Sequence, residues 1–116
     1  MPFSTFVDKE KLDDKSKSEL AKFEQAYSLQ KSNQPSDALV LYKSVANACP
    51  ERFETYYNMG VCQREIGQTN DAVASFEKVV QFNRLFRPVY LDLAELHEKL
   101  GQQDQAKAAR AVWNQL

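Results

Sequence analysis

Very little in this sequence is suited to chemistry. There is one histidine, and there are 2 cysteines and 3 glycines in 116 residues. So few glycines cannot build the loop whose backbone N–H groups cradle a phosphate. Cys49, Cys62 and His97 supply too few ligands for a common zinc site, and two cysteines do not staple a fold. Both read as reduced thiols. An excess of one charge is missing as well: 15 Lys and Arg face 16 Asp and Glu, for a net charge of −1. No basic stripe is therefore available for a nucleic-acid backbone. No apolar run approaches the roughly 20 residues that cross a bilayer. The opening "MPFSTFVDKEKLDDK" has a short apolar piece with acidic residues directly behind it, which reads against a secretory signal. The expectation is one cytoplasmic domain, with no cofactor, no metal, no nucleic acid and no membrane insertion.

What the chain has instead is repetition. "NQPSDA" at 33–38, "GQTNDA" at 67–72 and "GQQDQA" at 101–106 are versions of one phrase, spaced by 34 residues. A fixed period of this size marks a repeat architecture. Around each phrase, apolar residues recur three and four places apart, as in "ELAKFEQAYSLQK" and "PSDALVLYKSVANA". The spacing predicts six amphipathic helices of about 12 to 15 residues. Gly67 and Gly101 are placed to end helices in a left-handed conformation, with Asn33 in the same role. Ser36 and Asn70 are expected to cap the helices that follow. Pro50 should stop a helix, and Pro88 should sit just inside the start of one. Ser16 with Glu19 reads as a capping box for the first helix. Ahead of it, "STFVDKEKLDDK" reads as a short extra helix. With Phe3, Phe6, Val7 and Leu12, that segment should pack on this molecule, pack on a second copy, or dock on a partner.

Side-chain size follows the same period. Ala26, Gly60 and Ala94 align, as do Ala38, Ala72 and Ala106. Small residues on both helices of a pair permit close approach. Tyr56 aligns with Tyr90, Met59 with Leu93, Tyr42 with Phe76, and Val45 with Val79, and these fill the space around the contact. The pattern resembles the tetratricopeptide repeat, a pair of helices with a 34-residue signature. Tyr56, Met59, Gly60, Ala72 and Phe76 stand at the signature's places in the middle unit. Gln63 departs from the usual tyrosine and Arg84 from the usual proline. The outer units keep fewer of the places: Lys22 and Gln25 depart in the first, His97 and Arg110 in the third. Three repeats are expected, at 19–52, 53–86 and 87–116, after an N-terminal extension of 1–18. The fold class is all-α, a solenoid of antiparallel helix hairpins.

The resemblance implies a concave groove lined by the first helix of each pair, and a protein or peptide partner. By alignment its lining is Phe23 and Tyr27, then Tyr57, Val61 and Arg64, then Leu91 and Lys99. Alternatively, these residues are buried between helices, or Phe3 and Phe6 fill the groove from the chain's own N-terminus. Similar repeats in chaperone adaptors clamp a C-terminal carboxylate. The matching places here hold Phe23, Tyr27, Asn58, Pro88 and Asp92; only Asn58 agrees, and Asp92 would repel a carboxylate. Catalysis is not expected, since His97 stands at a packing position and Cys62 has no base assigned to it. The reading is a protein-interaction scaffold that binds an apolar or amphipathic peptide. The alternatives are a subunit that self-assembles through its N-terminal segment or its repeat ends, and a small chaperone for a secreted or membrane client.

Overall fold

Six α-helices follow one another in the computed structural model, which describes residues 3–4 and 12–116. They are α1 (Asp14–Lys31), α2 (Pro35–Ala48), α3 (Phe53–Glu65), α4 (Thr69–Phe82), α5 (Pro88–Lys99) and α6 (Gln103–Gln115). Their ends follow from local chemistry. Asn33, Gly67 and Gly101 have φ of 61°, 84° and 76°, the left-handed turn that glycine adopts without strain and asparagine tolerates. That turn aims the next amide back at the helix. Gln34, Gln68 and Gln102 donate to the carbonyls of Leu29, Gln63 and His97 at 2.9, 2.8 and 2.8 Å. The amides of Asn33, Gly67 and Gly101 donate to Gln30, Arg64 and Glu98. Three copies of one Schellman motif thus satisfy helix-end carbonyls that would otherwise lack partners.

The starts differ from the expectation. Gln34, Gln68 and Gln102 are the N-cap residues, and none makes a side-chain cap bond. Ser36 and Asn70 lie inside the first turn, because the Schellman turn delivers the chain into the next helix sooner than their positions require. Pro35 and Pro88 occupy the first helical position, where a missing N–H costs nothing. The Ser16–Glu19 capping box is likewise replaced. Asp13 is the N-cap of α1, and its carboxylate accepts the Ser16 N–H at 2.7 Å. A charged acceptor one turn earlier outcompetes a hydroxyl for the same orphan amides. The expected extra helix falls mostly outside the described residues, and Phe3, Ser4 and Leu12 are not helical.

Each helix pair, α1–α2, α3–α4 and α5–α6, is an antiparallel hairpin, and α2 on α3 and α4 on α5 join the hairpins in line. Ala26, Ala38, Ala72 and Ala94 are fully buried. A Cβ on Gly60 would lie 2.5 Å from Cε1 of Phe76, so the ring fills the space that the glycine leaves. The tyrosines at the starts of α3 and α5 tie each hairpin to the linker before it. Tyr56 donates to the Pro50 carbonyl and Tyr90 to the Arg84 carbonyl, both at 2.7 Å. The tie uses a backbone acceptor, so Arg84 replaces proline there without losing it. The core divides into a cluster around Phe23, Tyr42 and Val45 and another around Phe76, Val89 and Leu93.

Candidate functional site

Asn58 is the pivot of a buried polar network. It lies on α3 and is fully buried. A buried amide must have its hydrogen bonds met, and those of Asn58 run to both sides. Behind it, Nδ2 donates to the Tyr42 hydroxyl at 3.1 Å, and that hydroxyl donates to Gln30 Oε1 at 2.7 Å. Burial pushes the Tyr42 phenol above its ordinary range, so the hydroxyl keeps its proton and the chain of donors keeps its direction. In front, Asn58 Oδ1 accepts the Phe3 N–H and Nδ2 donates to the Phe3 carbonyl, both at 2.9 Å.

The Phe3 ring enters an aromatic box. Its centroid lies 5.5 Å from Phe53, 6.0 Å from Tyr57 and 5.5 Å from Phe86, with interplanar angles of 90°, 81° and 43°. The edge-to-face contacts with Phe53 and Tyr57 match the quadrupoles of the rings, and Phe86 closes the box at a tilt. The Tyr57 ring also packs on Phe86 at 5.1 Å, and its hydroxyl donates to Asp92 Oδ2 at 2.8 Å. Arg64 pairs with the other oxygen of Asp92 at 2.8 Å. This triad joins α3 to α5. Burial first, and then the Asp92 charge, raises the Tyr57 phenol above its usual range.

The residues expected to line the groove separate into two groups. Phe23 is a core residue with 0% exposure, packed on Tyr42 at 5.4 Å; α1 turns it toward α2 rather than inward. Val61 is buried as well, and Tyr57 is covered by Phe3 and Phe86. Arg64 is engaged by Asp92, so its charge is already balanced. Tyr27 and Leu91 are half-buried, and Lys99 is exposed. Lys31 Nζ stands 5.5 Å from the Tyr27 ring centroid. The sequence reading gave Phe53, Phe86 and Asp92 no part in binding and kept Asn58 only as a relic of a carboxylate clamp. The one signal for them was the pair of phenylalanines near the N-terminus, which needed an apolar place to go.

The chemistry-bearing residues take structural roles. His97 is half-buried with Nδ1 2.7 Å from Gln102 Oε1. Burial pushes the Cys62 thiol up to about 12, which leaves it protonated and unreactive. Among the described residues no group of three His, Cys, Asp or Glu is arranged to hold a metal, and no helix is long and apolar enough to cross a membrane.

Comparison with known proteins agrees with this architecture. Tetratricopeptide-repeat models match residues 54–82 and 88–109. No curated protein matches the chain with significance. Among solved structures, one of MamA (AMB-1) is 20% identical, with a TM-score of 0.80 over 84% of this chain and 54% of its own. The chain thus spans about half the length of that protein. The Yersinia enterocolitica type III secretion translocator chaperone SycD is 15% identical, with a TM-score of 0.79 over 84% of this chain and 74% of its own. At these identities the likeness is one of fold. With three hairpins in line, three matching helix stops and two units matched by the repeat's own models, the chain carries tetratricopeptide repeats at 54–82 and 88–109.

Proposed function

We propose that this chain is a non-enzymatic scaffold that holds a segment of another protein along its inner face. The observation that carries the reading is the pair of hydrogen bonds between Asn58 and the backbone of Phe3. A side chain that meets both the N–H and the C=O of one residue is a device for gripping peptide backbone. By their aligned places Tyr27, Leu91 and Lys99 would extend this face, and the first two are half-buried and the third exposed. The fold it shares with a translocator chaperone supports a client-holding version of the same role.

The test begins with a partner identified by capture from native extract. Its affinity for the purified chain is then measured by calorimetry. Tyr27→Ala and Leu91→Ala should each weaken binding by more than about 1 kcal/mol, the mark of an energetically important contact. Val40→Asp and Lys78→Ala, on exposed positions of α2 and α4, should leave it unchanged. A partner held as tightly by both inner-face variants belongs elsewhere on the molecule.

A further inference from the structure

We infer, building on the inner-face reading, that the box formed by Phe53, Tyr57, Asn58 and Phe86 is a site for an extended peptide segment with a phenylalanine-class anchor, and that Phe3 is its resident competitor. The backbone comes first. The N–H and C=O of one residue point to the same side only in an extended conformation; in a helix they point in opposite directions along the axis. Phe3 offers both groups to one amide at 2.9 Å each, which is how residues pair across an antiparallel ladder. Asn58 therefore accepts backbone from any sequence, provided that it arrives extended.

Selectivity lies in the ring. Three aromatic centroids stand 5.5 to 6.0 Å from that of Phe3, and they surround it with edges and faces rather than with polar groups. An aliphatic side chain fills such a box without matching its quadrupoles, and a charged one is desolvated there without a partner. Tyr42 and Gln30 fix the Asn58 amide from behind, independently of the segment in front of it.

Phe3 holds the box through one ring and two hydrogen bonds, and a short stretch of chain ties it to Leu12 and α1. Because Phe3 belongs to the same chain as the box, it is supplied at an effective concentration rather than at a bulk one. An incoming segment must outcompete that local supply. Occupancy by Phe3 thus sets a threshold, which rejects weak apolar segments and admits one that also engages the face near Tyr27 or Leu91.

The test uses the full chain and a fluorescent, N-acetylated peptide of residues 1–8, "MPFSTFVD". The peptide should bind the Phe3→Ala chain at least tenfold more tightly than the unaltered chain. The same peptide with Phe3→Ala should lose at least tenfold on the opened chain. Phe3→Ser repeats the test, with thermal melts showing that each variant remains folded. Equal affinity for the opened and unaltered chains would overturn the competition, and no binding to either opened chain would overturn the site. The scaffold reading is judged separately: a captured partner that ignores Phe3→Ala but is lost in Leu91→Ala leaves it standing.

Discussion

Helices α3 and α6 are both 13 residues long, yet seven residues of α3 are buried and only Ala106 and Ala109 of α6. The difference is one of position. α3 packs against α2 and α4, touches α1, is joined to α5 through Asp92, and is covered on the inner face by Phe3. Polar residues on it are therefore buried too: Thr55, Asn58 and Gln63. Among the described residues α6 packs chiefly on α5, and it is apolar along a single stripe. Arg110 on α6 makes an ion pair with Glu98 whose partners are both 42% exposed, an arrangement that adds little stability. Burial in this molecule is set by the number of neighbours as much as by composition.

The contrast can be broken by mutation, and the sharpest attempt is at the centre. Phe76 is fully buried against Gly60 and Tyr57. Phe76→Ala should cost about 3–5 kcal/mol in urea unfolding, the range for truncating a packed aromatic. Gly60→Ala tests the same contact from the other side. Its methyl would meet a ring held on all sides, and overpacking of this kind costs roughly 1–3 kcal/mol. At the open end the effect should be smaller. Trp113 is only half-buried, with Arg87 stacked 3.8 Å above its ring and bonded to its carbonyl at 2.9 Å. Trp113→Ala should cost roughly 0.8–1.5 kcal/mol, about half the value of full burial of a large apolar side chain. A loss equal to that of Phe76→Ala would mean that α6 is as central as α3.

Alkaline pH sharpens the comparison from within. Cys62, Tyr42 and Tyr57 belong to the interior, and burial raises all three above their ordinary values. The folded chain keeps protons that the unfolded chain releases. Their contribution is whole below pH 9, the ordinary value for the thiol, and falls as the pH rises toward the folded values. Urea midpoints should decline above pH 9, and Cys62→Ala should flatten part of that decline. In the folded state a thiol reagent should reach half-buried Cys49 well before Cys62. The smallest effect belongs to the exposed start of α1. The Ser16 N–H holds the Asp13 carboxyl below its usual range. Its contribution is present above the unfolded pKa and is lost as pH falls through the lower folded one. Asp13→Ala should reduce the melting temperature slightly at pH 7 and not at all in acid.

Much of the architecture was legible because it is local. Asn33, Gly67 and Gly101 marked helix ends correctly, since a positive φ is a property of one residue and its immediate bonds. The helix starts were less legible. Ser36 and Asn70 have good capping side chains, but the turn before them had already placed Gln34 and Gln68 at the N-cap. The groove was read least well. An aligned position states which helix carries a residue, not what its side chain packs on, and Phe23 packs on Tyr42 in the core.

By itself, then, the sequence determined the helices, their 34-residue period and the stops between them, because each depends on spacing and on conformational preference within a few residues. Only the tertiary structure decided which groups Asn58 meets. Phe3 and Asn58 are 55 residues apart, and nothing in the local chemistry of either announces the other. Their pairing exists because Tyr42 of the first hairpin fixes the buried Asn58 amide of the second from behind, beside a box of rings from α3 and the α4–α5 linker.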